Sequence, residues 1–180
     1  MKAVTCGCLV AVFAGTLAVP AIAQESKSAP LAKELVAALQ AAKLESIAAK
    51  DPSSVDVYVG ALYIPGFQLL VVSGAYAQPV LLDTRLSKKE YRDVYIDLNG
   101  ASAPATRLLV EDLGADGLKA KREDDEAFDS VDTGGTRTMF DSDWKKQKLS
   151  EDEYMKTFAM SDERYSAMLT ALLAQIKKGS

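Results

Sequence analysis

The sequence contains no histidine, and its two cysteines, Cys6 and Cys8, both lie in an apolar stretch at the start of the chain. A Ser-His-Asp or Cys-His catalytic set is therefore excluded, as are metal and haem sites that use imidazole. Removal of the leader also removes every thiol, and with it thiol nucleophiles, iron–sulfur ligation and c-type haem attachment. Carboxylate, lysine, serine or tyrosine chemistry is left, or the chemistry of a bound cofactor. One group of cations is Arg85, Lys88, Lys89 and Arg92, spaced to crowd the end of a helix and the start of the next strand. Such a set can hold a phosphate or carboxylate, and it is the candidate site for a small anionic ligand. The plainer role for the same cations is to complement the dipole at a helix C-terminus.

Two further patterns carry less chemistry. Ser142-Asp-Trp-Lys145 places a lysine one helical turn from a serine, but the Ser-Asp-Asn and Lys-Thr-Gly elements that accompany such a pair in serine–lysine enzymes are absent. The plainer reading packs Phe140 and Trp144, Trp144 as a buried anchor, and leaves the charges between them in water. Carboxylates at 123, 124, 125, 126, 129 and 132 form an acidic run. It lacks the Asp-x-Asp-x-Asp-Gly order of a calcium loop, as does Asp141-x-Asp143, so it reads as a solvated loop and no metal site is assigned. Tyr58, Tyr63, Tyr76 and Tyr95 fall on expected strands, where they line a ligand groove or, by default, pack in the core or lie half-exposed on the sheet surface.

The elements that would position these residues follow from periodicity. Leu31, Leu35, Val36, Leu39, Ala42 and Ile47 recur at helical spacing after Pro30, which predicts a helix over 31–50 that stops before Asp51-Pro52. The sheet core is expected over 55–122. Runs 55–64 and 67–76 flank Pro65-Gly66 as an antiparallel hairpin. A helix over 79–91 follows. Strands are expected over 92–98, 106–113 and 118–122, with a turn at Gly114 and Gly117. The acidic loop is placed at 123–135, with a last short strand at 136–140. A helical pair closes the chain over 150–178: Ser150-Glu-Asp-Glu153 is a capping box for the first helix, and Ser161 is the cap expected for the second.

The chain begins with Lys2, an uncharged apolar run from Ala3 to Val19, then Pro20 and Ala21-Ile22-Ala23. This is the three-part pattern of a secretory signal peptide over 1–23, cleaved before Gln24. The run sits at the short edge of what spans a bilayer, and the small-x-small site favours cleavage over retention as an anchor. No lipobox precedes Cys6 or Cys8. Residues 24–180 are expected to form a single α+β domain, periplasmic or extracellular, held by an apolar core without disulfides. With 21 Lys+Arg against 25 Asp+Glu and both signs interspersed, the chain has no basic stripe for nucleic acid, and no second apolar stretch is long enough to cross a membrane.

The order of helix, hairpin 55–64 and 68–76, cation-bearing helix 79–91, and strands 92–98 and 107–113 resembles the split barrel of the pyridoxamine-phosphate-oxidase-like, FMN-binding proteins. The resemblance covers roughly residues 31–122 and rests on element order. It implies a partial barrel in which Arg85, Lys88 and Lys89 match the region that holds the flavin phosphate. The chain departs from the family in a first strand shortened or missing before Val55, and in its extra C-terminal helical pair. The expected fold is thus α+β: an antiparallel sheet or split barrel with an N-terminal helix and two C-terminal helices. The expected function is non-catalytic binding or an accessory role in the cell envelope, with no cofactor and with an anionic ligand or envelope protein as partner. The alternative is a flavin-binding oxidoreductase with FMN. The signal reading predicts that the exported protein begins at Gln24 by intact mass and N-terminal sequencing; a product retaining Met1–Ala23 would overturn it.

Overall fold

The computed structural model describes residues 26–51, 57–75, 106–120, 128–140 and 143–179. Its order is α1 (Ser28–Ala42), β1 (Ser46–Lys50), β2 (Tyr58–Ile64), β3 (Leu69–Ala75), β4 (Thr106–Leu113), β5 (Asp129–Thr133), β6 (Thr136–Phe140) and α2 (Glu151–Gly179). The six strands form one antiparallel sheet in sequential order, β1 to β6, which does not close. The protein is α+β, with one helix near each end of the chain. No helix among the described residues is long and apolar enough to cross a membrane.

Both helices lie on one face of the sheet. Ile47, Val59, Ala61, Tyr63, Leu70, Val72, Leu108, Val110, Val131 and Phe140 meet Leu35 and Leu39 of α1 and Tyr154, Phe158, Tyr165, Leu169 and Leu172 of α2 in a single core. Phe140 receives Tyr154 and Phe158 edge-on, with ring centroids 5.6 and 5.3 Å away. The opposite face of the central strands holds a second apolar cluster, Leu62, Leu69 and Val71, packed with Ile64, Leu109 and Leu113. Because β2 and β3 bury side chains on both faces, their sequences read as nearly unbroken apolar runs.

Several boundaries differ from the sequence expectation. The first helix stops at Ala42, and residues 46–50, expected as its last turns, form β1. The stop is a Schellman cap closed by a lysine. Lys43 adopts left-handed φ 56°, its N–H bonds to Gln40 O, and Leu44 N–H bonds to Leu39 O at 2.9 Å. The hairpin forms as expected, with Ile64 opposite Leu69 and a single 3-10 turn at Pro65–Phe67. The expected strand 118–122 is absent over Leu118–Ala120, which run as irregular chain. Part of the expected acidic loop is instead β5, which pairs with β4 on one side and β6 on the other. The C-terminal pair is one continuous helix: Ser150 and Glu153 form the expected capping box, while Ser161 is buried within α2 and caps nothing. The expected helix 79–91, strand 92–98 and leader 1–23 lie outside the described residues.

Gly117 fixes how α1 meets the sheet. Its φ is +93°, and a Cβ built there would lie 2.4 Å from both N and Cα of Ala29. The left-handed backbone and the contact with the first turn of α1 both require the missing side chain. The substitution G117A is expected to destabilise the fold by about 2–4 kcal/mol, measured as chemical or thermal unfolding. A change within about 0.5 kcal/mol would show that α1 does not sit on this turn in solution.

Candidate functional site

The sequence-predicted ligand set, Arg85, Lys88, Lys89 and Arg92, lies outside the described residues. The structure does place the two ends of the connection that carries it. Ala75, the last residue of β3, is paired with Thr106, the first of β4, so residues 76–105 depart and return at one end of the sheet. The opposite end holds a dense polar arrangement among the described residues, built on three buried aspartates; the sequence reading named only Asp129, as part of a solvated acidic run, and the structure buries it.

Asp162 projects from the middle of α2 to the start of α1. Its carboxylate accepts from Ser26 Oγ at 2.6 Å, Lys27 N at 2.7 Å and Ser28 N at 3.1 Å. It caps a helix from across the fold, at the terminus where the dipole favours negative charge. Ser28, fully buried, accepts on its Oγ a bond of 2.9 Å from Leu118 N, which ties α1 to the chain beyond β4. The adjacent Lys27–Glu163 ion pair is exposed and adds little.

Asp129 opens β5 with its side chain buried. It accepts from Leu113 N and Lys119 N, each at 2.8 Å, and so clamps both ends of the loop that leaves β4. Asp112, fully buried in β4, holds the middle of the same loop. Its Oδ1 accepts from Asp116 N at 3.2 Å; its Oδ2 accepts from Gly117 N at 2.9 Å and from the Tyr165 hydroxyl of α2, also at 2.9 Å. Burial pushes the Asp112 carboxyl up to about 6, with Asp116 adding a smaller push, while the three hydrogen bonds act in the other direction. Within the loop, Asp116 pairs through Oδ2 with Lys119 at 2.7 Å, and its buried Oδ1 has no hydrogen-bond partner.

A second polar group stands on the face of the sheet away from the helices. Glu111 is buried, accepts from Ser130 Oγ, and is paired with the Arg137 guanidinium. These residues sit on β4, β5 and β6, so the group staples three adjacent strands across a partly apolar surface.

The arrangement organises backbone. The carboxylates of Asp112, Asp129 and Asp162 together accept six backbone N–H bonds, and the Tyr165 proton is directed to Asp112. Among the described residues no group of three acidic, histidine or cysteine side chains is placed to hold a metal. Of the serine–lysine pattern, Ser142 lies outside the described residues and Lys145 is exposed. Trp144, expected as a buried anchor, is half-buried and tilted against Tyr154, with centroids 6.0 Å apart. Of the four strand tyrosines, Tyr63 is in the core, Tyr58 is half-buried, and Tyr76 and Tyr95 lie outside the described residues. The sequence did carry a trace of the network: Asp112 interrupts the apolar run of β4, and Asp162 interrupts the apolar stripe of α2. No protein-family model, curated protein or solved structure matches the chain.

The raised Asp112 value sets a sign for pH dependence. A carboxyl at about 6 when folded and 3.8 when free favours folding fully below pH 3.8, and that contribution is lost as the pH rises through 6. The loss is on the order of 3 kcal/mol. Substitution D112N removes the titration, so the stability of wild type relative to D112N is expected to fall between pH 4 and 7 in parallel denaturant titrations. A difference that stays constant over that range would show that Asp112 titrates as an ordinary carboxylate.

Proposed function

We propose that the chain is an exported, non-catalytic binding or accessory protein of the cell envelope. The observation that carries this reading is the use of the buried carboxylates. Asp112, Asp129 and Asp162, the groups best desolvated for acid–base work, direct their oxygens at backbone N–H groups and hold loops and helix ends in place. A general base needs an oxygen within reach of a substrate proton, and these oxygens are already committed. With no histidine in the chain, the remaining nucleophiles lack the usual base. The ligand surface is assigned to the connection 76–105, whose Arg85, Lys88, Lys89 and Arg92 suit a small anionic group, with an envelope protein as the larger partner.

The element order supports a second reading, the FMN-binding split barrel. The strand that the resemblance required ahead of residue 55 has a counterpart in β1, which enters the sheet directly before the hairpin β2–β3. An open sheet of six antiparallel strands is compatible with a partial barrel, and the cationic connection follows the hairpin. In this reading Arg85, Lys88 and Lys89 hold the phosphate, and the flavin supplies redox chemistry that the side chains do not.

An absorbance spectrum and a denaturing mass spectrum of the exported protein from its own host separate the two. The binding-protein reading predicts a colourless protein. Flavin absorbance with a released molecule of matching mass would overturn it in favour of the split-barrel oxidoreductase, and alanine at Arg85, Lys88 and Lys89 would then abolish retention of the chromophore.

A further inference from the structure

Among the described strands, β6 is the last of the open sheet. Gly134 and Gly135 join it to β5 as a two-residue turn, so the closing pair Thr133–Thr136 exchanges backbone hydrogen bonds. By the alternation of antiparallel pairing, Thr138 and Phe140 also bond to β5. Arg137 and Met139 direct their N–H and C=O away from it. The strand reads Thr-Arg-Thr-Met-Phe, rich in β-forming residues and without proline or glycine. A bare edge of this kind is a template for another strand.

Met139 meets a side chain instead. Gln147 Oε1 accepts from Met139 N at 2.8 Å, and Gln147 Nε2 donates to Met139 O. The carboxamide carries the donor and acceptor of a peptide group and engages Met139 as a neighbouring strand would. Its place is fixed by the chain between β6 and α2. Gln147 N bonds to Trp144 O and Lys148 N to Lys145 O, each at 3.1 Å, and Leu149 N reaches back to Trp144 O, also at 3.1 Å. Lys148 takes left-handed φ 58° to close this coil, as a Schellman cap closes a helix. Trp144 and Leu149, at the two ends of the coil, pack against the core. Gln147 is therefore held between two anchored residues. A side-chain amide satisfies one residue and has no further peptide beyond it, so pairing ends there.

We propose that Gln147 is an edge guard, which keeps β6 from pairing with β6 of a second copy of this chain. Without it the edge fits itself. A two-fold axis at Thr138 sets Arg137 opposite Met139 of the second copy, and each such pair exchanges two backbone hydrogen bonds. The guard prevents that pairing without a proline or a bulge in the strand.

The test compares wild type with Q147L, which keeps the side chain's bulk and removes both hydrogen-bonding groups, and with the double variant Q147L/M139P. Proline is tolerated on an edge strand where its nitrogen faces outward, so M139P deletes the outward donor without touching the β5–β6 ladder. In sedimentation across a dilution series, Q147L is expected to rise toward twice the wild-type mass as concentration increases, and Q147L/M139P to keep the wild-type mass. Amide hydrogen exchange reads the edge directly. In dilute Q147L the Met139 amide is expected to exchange about tenfold faster than in wild type, with the Thr138 and Phe140 amides unchanged. In concentrated Q147L the Met139 amide slows again. A Met139 amide with the same rate in wild type and dilute Q147L overturns the proposal, as does a Q147L that keeps the wild-type mass at every concentration. Loss of protection at Thr138 and Phe140 together with Met139 overturns it too, because Gln147 would then hold β6 in the sheet. Association of Q147L that survives M139P places the contact elsewhere on the molecule and overturns it as well.

Discussion

The start of α1 is a partly buried helix N-terminus, and its innermost backbone donor, Ser28 N, must be satisfied away from water. Lys27 N and Ser28 N lie where the helix meets α2 and the loop after β4, and Asp162 answers both. An unsatisfied buried N–H costs roughly as much as a lost hydrogen bond with its desolvation penalty, on the order of 1–3 kcal/mol. The rest of the arrangement follows from bringing that terminus inside. Gly117 must lack a side chain because Ala29 occupies its space, and Ser28 must carry a hydroxyl because Leu118 N points at it. The loop between β4 and β5 must then hold one shape, which Asp112 and Asp129 impose through its backbone.

The three aspartates solve one problem in different electrostatic settings. Asp162 sits at the positive end of a helix dipole, where a carboxylate is favoured. Asp112 has only neutral donors on it, two backbone N–H groups and a phenol, and burial outweighs them. Its place is set by geometry, at a junction of β4, its loop and α2, where an apolar residue would leave the loop donors without acceptors. The second polar group, Glu111 with Arg137 and Ser130, differs again: an ion pair on a sheet face, fastening strands instead of a loop.

Much of this fold was legible because periodicity and turn chemistry report local structure. The hairpin around Pro65-Gly66, strand 106–113, the short strand 136–140 and the Ser150–Glu153 capping box were all visible in the sequence. The failures share a cause. Helix α1 ends at a lysine in the left-handed region, where sequence rules look for glycine, so its pattern appeared to run on into β1. Asp129 opens a strand inside an acidic run, because its buried carboxylate serves two distant amides. Ser161-Asp162 looks like a helix start, yet Asp162 caps the helix that lies 134 residues earlier in the chain. Each polar residue was assigned to its own neighbourhood when its partner was remote, and a single sequence does not encode which remote donor an aspartate will meet. The candidate cations were legible as a cluster; their surroundings lie outside the described residues.

The polar ties at one end of the sheet bear on where binding can evolve. At one end the turn Pro65–Phe67, the loop 114–120 and the start of α1 are bound to one another: Gly114 N donates to Gln68 O at 2.7 Å, and the aspartates fix the remainder. A substitution there disturbs a helix terminus, a loop and a strand together, and such coupling penalises change. At the other end β3 stops at Ala75 and β4 begins at Thr106, side by side, so a connection of any length can be carried between them without altering the register of the sheet. A sheet end held by such shared ties serves stability. The proposed ligand surface, with its four cations, belongs to the connection that joins Ala75 to Thr106 at the other end.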